Sequence, residues 1–256
     1  MAAEQPALTL WGGSGNRSSR CLWMLEELGV PYTSVPIDSR DGSTHKPEYL
    51  AMNPHAKVPT LRDTSVEPAL ILNESAAINN YLCDRYGSAE AQLIPPPATP
   101  ERAHHDAACF TIMSELDVSL YTHRKHGMLP EEYGEAPAAV AAAEKYFGER
   151  LAAFTTMYLG GGSHFLLGDS FSAVDCLAGH TLIWALLVGW CAASREPEHP
   201  RSRSHAQPCV HAHAWPLVNS SLTVLLWPQV PDGERAAVCV YAAHHWAACV
   251  QKGLRE

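Results

Sequence analysis

The sequence predicts an α/β domain followed by an all-helical one, and three observations predict it. Between residues 8 and 87, short apolar runs alternate with helical patterns: strand–helix–strand, then strand–strand–helix. Residues 88–100, SAEAQLIPPPATP, form a proline-rich connection that cannot continue a helix. Residues 101–190 then read as nearly all helix.

Each element has a local reason. Leu8–Trp11 reads as a short strand, broken by Gly12, Gly13 and Gly15. A helix follows, with Ser18 or Ser19 as its cap. Cys21, Leu25 and Leu28 fall at i, i+4 and i+7, so one face is apolar. Gly29 and Pro31 stop that helix. Tyr32–Ile37 is a second strand, and Pro36, which lacks an N–H, suits a sheet edge. Lys57–Leu61 and Ala69–Leu72 are two more strands, and Glu74–Tyr86 is a helix ending at Gly87. Beyond the linker, Pro100 opens a helix to about His126, with Gly127 as its stop. Ala136–Leu159 is a second helix, ended by Gly160–Gly162. Ser172 and Asp175 stand three apart before an apolar run, the spacing of a capping box.

The chain of 256 residues has 27 acidic and 18 basic side chains, a net charge of −9 with histidine neutral. That balance argues against nucleic acid, whose phosphates need clustered Lys and Arg, and against an anionic membrane surface. The start has no basic region ahead of a long apolar run, so no secretory signal is read. Cys176–Ala193 is charge-free but sits at the lower limit of the ~17–25 residues a membrane span needs, and it reads as a buried helix. The eight cysteines show no paired C-x-x-C spacing, which fits reduced thiols in a cytoplasmic protein.

Residues 191–256 differ from the rest. They carry 6 of the 14 histidines and 6 of the 19 prolines, with a net charge of +1 against −10 for residues 1–190. Their prolines forbid a long helix before Asp232. They are expected to form an irregular tail that leaves the apolar helix near Leu182–Trp190 partly uncovered. His211, His213, His244, His245, Cys209 and Cys249 lie there, but no spacing matches a known zinc site, so no metal is assigned.

Four separated segments resemble the glutathione transferase superfamily: LTLWGGSGNRSSRCLWMLEELGVPY, NPHAKVPTL, NESAAINNYL and LLGDSFSAVDCLAGHTLIWA. The resemblance covers about residues 8–185. It implies a thioredoxin-like, glutathione-binding domain over 8–87 after a short extension, 1–7. A linker, 88–99, and a truncated all-helical domain, 100–190, follow, with the tail outside it.

The resemblance also implies functional residues. Val58-Pro59 resembles the family's cis-proline, whose preceding backbone pairs with the cysteinyl unit of glutathione. Glu74-Ser75 resembles its acidic residue and serine pair. Ser75 would open a helix whose free N–H groups take the γ-glutamyl carboxylate, and Glu74 would face the ammonium. Lys57 or His55 would meet the glycyl carboxylate. The thiol, pKa ~8.5, must be held as thiolate, and two units of depression need ~2.7 kcal/mol of preferential stabilisation. No tyrosine stands between Leu10 and Arg20, so Asn16, Ser14 and Ser18 remain as candidates for that hydrogen bond. Cys21 falls inside the helix and reads as a core thiol. Asp175 resembles a structural capping aspartate. Tyr121 and Met113–Asp117 are placed near a pocket between the domains.

The implied activity is conjugation of glutathione, as co-substrate and without metal, to a small hydrophobic electrophile by a cytoplasmic homodimer. Two alternatives stay open: a non-catalytic binding module, and a glutathione-dependent thiol–disulfide reductase.

Overall fold

The computed structural model describes residues 6–37, 40–88, 92–159, 161, 163 and 165–190. The expected irregular tail, with its histidine and cysteine cluster, lies outside the described residues.

The first part is a four-stranded sheet with helices packed on it. Strands β1 (Leu8–Trp11), β2 (Tyr32–Val35), β3 (Thr60–Asp63) and β4 (Leu70–Asn73) lie in the order β2-β1-β3-β4. β1 runs parallel to β2 and antiparallel to β3, and β3 runs antiparallel to β4. The β1–β2 crossover carries α1 (Ser18–Leu28), which ends at Gly29 in a left-handed conformation, φ 63°. A short helix α2 (Pro47–Leu50) precedes β3, and α3 (Ser75–Tyr86) follows β4. This is the thioredoxin-like arrangement the sequence predicted.

Two strands start later than the sequence suggested. Lys57, Val58 and Pro59 lie in the loop before β3, and Ala69 lies before β4. Pro59 and Pro68 both follow cis peptide bonds, Val58–Pro59 and Glu67–Pro68. A proline has no N–H for the ladder, so both strands begin just beyond one. β2 likewise ends at Val35, before Pro36.

Helices make up the second part. α4 (Pro100–Thr111) runs on through a π-helical segment (Ile112–Asp117), α5 (Val118–His123) and a second π-helical segment (Arg124–Met128). Gly127 was expected to stop this helix, but it sits inside the last segment, where Leu129 N–H donates to the Arg124 carbonyl at 3.0 Å. The chain continues as α6 (Pro130–Tyr133), α7 (Pro137–Leu159) and α8 (Ala173–Leu187). The capping box of α8 forms. Asp175 accepts from the Ser172 N–H at 2.9 Å and also from the Leu166 N–H at 2.9 Å.

Two cores result. Leu8, Leu10 and Leu61 of the sheet pack with Trp23, Met24 and Leu25 of α1 and Ile78 and Leu82 of α3. Ala173 and Cys176 of α8 join the same cluster, so α1 lies between the sheet and the helical part. The second cluster holds Ile112, Leu116, Leu120, Phe147, Leu177, Ala185 and Trp190. No described helix is long and apolar enough to cross a membrane. The charge-free segment instead forms α8 as far as Leu187, with Cys176, Leu177, Ala178 and Ala185 in these cores and Leu187 exposed.

Candidate functional site

The sheet register brings the candidate residues to one end of the fold. Trp11, the last residue of β1, pairs with Thr60, and Thr60 pairs with Asn73, the last residue of β4. Three segments therefore leave or enter the sheet side by side. They are the loop from Gly12 to α1, the Lys57–Pro59 loop, and the Glu74–Ser75 start of α3.

The start of α1 is organised by Asn16 rather than by the expected serines. Asn16 Oδ1 accepts from the Ser18 N–H at 2.9 Å, and its carbonyl accepts from the Ser19 N–H at 3.0 Å and the Ser19 hydroxyl at 2.7 Å. Ser18 and Ser19 are buried inside the helix. The Ser18 hydroxyl lies under Gly12 and has no hydrogen-bond partner among the described residues. A Cβ on Gly12 would sit 1.8 Å from the Ser18 oxygen, and φ there is +143°. Only glycine fits that position. Ser14 is exposed, and Asn16 is half-buried.

The Lys57–Pro59 loop is held from beneath. The Lys57 carbonyl accepts from the Tyr49 hydroxyl at 2.6 Å and from Asn53 Nδ2 at 2.8 Å. Asn53 Nδ2 also donates to Thr60 Oγ1, which lies 2.9 Å from the Tyr49 hydroxyl and donates to Asn73 Oδ1 at 2.9 Å. One hydroxyl thus ties this loop to the end of β4. Burial raises the pKa of Tyr49, against its hydrogen bonds to Thr60 and Asn53, so it remains a phenol donor. Lys57 and His55 are both exposed.

At the start of α3, Glu74 is exposed and takes φ 70°, ψ 114°, an unusual conformation for a residue with a side chain. Ser75 is buried, and its hydroxyl accepts from Arg20 Nη1 at 3.2 Å.

Arg20 was only a counting landmark in the sequence, yet it is the hub beneath the site. It is fully buried on α1. Nη2 donates to Asp117 at 2.6 Å and to Thr181 at 3.0 Å, and Nε donates to His180 Nδ1 at 3.1 Å. Arg17 Nε also reaches Asp117, at 3.1 Å to each oxygen. Burial raises the Asp117 pKa, but the Arg20 charge and the Arg17 hydrogen bond and charge outweigh it, holding the carboxyl below its ordinary value. Burial and the Arg20 charge push His180 well below the usual histidine value. His180 is therefore neutral, and a hydrogen bond to the Asn16 backbone opposes the shift. With Nδ1 accepting from Arg20, Nε2 carries the ring proton. Through Asp117 the helical part grips Arg17 and Arg20 at the start of α1.

Nothing in the sequence pointed to this network. Asp117 stands 97 residues from Arg20 and His180 stands 160 away. Of the residues placed near an inter-domain pocket, Met113 and Asp117 contact Arg20, and Tyr121 stacks on Arg17.

Cys21 is fully buried, and burial drives its thiol far above the ordinary value. The other described cysteines, Cys83, Cys109 and Cys176, are buried too. Among the described residues no group of three His, Cys, Asp or Glu side chains is placed to hold a metal.

Comparison with known proteins fits this geometry. A family model described as glutathione S-transferase, N-terminal domain, matches residues 16–85. Glutathione S-transferase 3 of Zea mays is 31% identical over 204 residues, 77% of this chain and 81% of that protein. The chain belongs to the glutathione S-transferase family. A glutathione S-transferase-like protein of Aspergillus terreus, gedE, is 40% identical over 88 residues, and that match spans 34% of this chain and 37% of the relative. Among solved structures, the theta class glutathione S-transferase of Xanthomonas axonopodis pv. citri, with glutathione bound, is 33% identical. It covers 77% of this chain and 88% of its own, with a TM-score of 0.59. The transferase fold thus extends beyond the N-terminal domain into the helical part.

Proposed function

We propose that this protein binds glutathione at the shared end of β1, β3 and β4 and conjugates it, through its thiolate sulfur, to a small electrophile. The observation that carries the reading is the aligned Trp11–Thr60–Asn73 rung, which gathers the α1 start, Val58 and the α3 start. Each supports one part of a γ-glutamyl tripeptide. The free N–H groups at the start of α3 suit the γ-glutamyl carboxylate, and the exposed Glu74 suits the ammonium. The Val58 backbone suits the cysteinyl unit, and Lys57 suits the glycyl carboxylate.

At the thiol, the helix α1 N-terminus favours negative charge. Asn16 Oδ1 is committed to the Ser18 N–H, which leaves the Nδ2 donors for a thiolate. The Ser18 hydroxyl is turned under Gly12, and the exposed Ser14 is the second choice. The thiolate then attacks an electrophilic carbon and the leaving group departs with its electron pair. A thiol–disulfide exchange role is not supported, because Cys21 is sealed in the core.

Titration of the purified full chain with glutathione by calorimetry, followed by a conjugation assay, tests this. Saturable binding with glutathione-dependent turnover is expected. Binding without turnover on any electrophile would favour a binding module, and no binding would overturn the reading.

A further inference from the structure

The Tyr121 ring of α5 is surrounded by positive charge in a chain whose net charge is −9. Arg17 lies 4.9 Å from its centroid, Lys57 5.4 Å, Arg124 5.8 Å and Lys125 4.7 Å. Arg17 is also 4.9 Å from the Trp184 ring of α8, and Lys125 is 5.6 Å from the Tyr133 ring. Of these four cations only Arg17 has a carboxylate within ion-pair distance among the described residues, and that carboxylate, Asp117, is shared with Arg20. Among the described residues, Lys57, Arg124 and Lys125 have no acidic partner beside two half-buried aromatic rings.

We propose that this cationic cluster takes an electrophile that is both planar and anionic, an aryl carboxylate or sulfonate. Its ring lies against the Arg17 guanidinium that spans Tyr121 and Trp184, and its acidic group is met by Arg124 and Lys125. The proposal rests on the glutathione reading above and deepens it. Glutathione brings two carboxylates, one for the start of α3 and one for Lys57. Arg124 and Lys125 therefore remain for the second substrate. Arg17 follows Asn16 directly, so an aryl group stacked beside it lies next to the thiol position. Arg17 is fixed by Asp117 and cannot swing out to neutralise an incoming acid. Arg124 and Lys125, in the π-helical segment that ends the long helix, have no carboxylate within ion-pair distance among the described residues.

For a chloronitrobenzoate the chemistry balances simply. The glutathione sulfur forms a bond to the ring carbon, chloride leaves with the C–Cl electron pair, and the thiol proton goes to solvent. The carboxylate takes no part and serves only recognition.

The test uses the full chain saturated with S-methylglutathione, an unreactive occupant of the thiol site. Calorimetric titrations compare 3,5-dinitrobenzoate with the neutral 3,5-dinitrobenzamide. The carboxylate should bind at least about tenfold more tightly, the scale of one charge-assisted hydrogen bond. R124Q/K125Q should abolish the preference while leaving amide binding and S-methylglutathione affinity unchanged. Equal affinity for the two probes would overturn the proposal. So would a double variant that keeps the preference, or one whose only loss is S-methylglutathione affinity, since the cations would then serve glutathione. Failure of the glutathione reading shows separately, as absence of S-methylglutathione binding to the parent chain.

Discussion

Arg20 and Asp117 meet at 2.6 Å across the junction between the α/β part and the helices, the arginine fully buried and the carboxylate nearly so. Two arginines share the one acid, and Thr181, Ser75 and neutral His180 take up further Arg20 donors. Isolated charges cannot be buried at tolerable cost, but a charge with this many partners can. The same side chains hold the starts of α1 and α3, so the junction and the candidate site form one network.

Asp117→Asn is therefore expected to lower stability by about 3–5 kcal/mol, because it leaves Arg20 buried beside a weaker acceptor. Urea unfolding measures this. A companion variant, Arg20→Met with Asp117→Leu, should recover a large part of the loss, since it removes both charges. A loss below about 1 kcal/mol in the single variant would mean that water reaches Arg20.

Ser75→Ala should weaken glutathione binding by about 1–2 kcal/mol, the scale of a hydrogen bond to a charged group. The helix should survive, since alanine is a good helix former. Arg20 loses one acceptor and keeps Asp117, Thr181 and His180. Unchanged affinity by calorimetry would remove Ser75 from the site.

Asn16→Ala should lower kcat more than it raises the glutathione KM, because its contact is with the thiolate rather than the bound thiol. The pH profile of kcat should move upward at the same time, reporting a less stabilised thiolate in the complex. Loss of this kind in Ser18→Ala or Ser14→Ala, with Asn16→Ala unaffected, would move the role to that hydroxyl.

The strand and helix order was legible because it depends on local signals: apolar runs, glycine stops and prolines at strand entrances. The cis bond at Val58–Pro59 was legible from its motif, and the Thr60–Asn73 pairing sets that loop beside Glu74–Ser75. The start of α1 was misread. Ser18 and Ser19 are good caps in general, but the Asn16 side chain captures the Ser18 N–H and turns both serines inward. The long helix runs on to Met128, past the expected end at about His126, and closes on a π turn that the glycine alone did not signal. Arg20 was invisible for a different reason. A buried arginine looks like any surface arginine until Asp117 and His180, from distant helices, are brought against it.

Stability should fall as pH drops from about 6.5 towards 4, and His105 is the group that makes this testable. His105 is fully buried on α4. Nε2 faces Asn80 Oδ1 at 3.1 Å and the Cys109 sulfur at 3.4 Å, while Nδ1 has no partner among the described residues. A second proton would enter at Nδ1 with no acceptor. Burial lowers the pKa to about 4; the Asp106 and Asp84 charges act against that shift, and the Arg102 charge adds to it. In the unfolded chain the same ring takes its proton near pH 6.5. Between these values the unfolded state binds more protons, so stability declines with falling pH by up to about 1.4 kcal/mol per unit for this group. His180 acts in the same direction. Asp117 does not contribute in this window, because its depressed folded pKa places its loss at lower pH. Asp175 opposes the trend, since burial raises its folded pKa despite the hydrogen bonds it accepts. The parent slope is thus a sum, and the difference between parent and His105→Gln isolates one group. Glutamine keeps a donor for Asn80 and has nothing to titrate. Urea unfolding at pH 7, 6 and 5 should show a shallower decline in His105→Gln than in the parent. Parallel declines would mean that the folded chain protonates His105 as readily as the unfolded one.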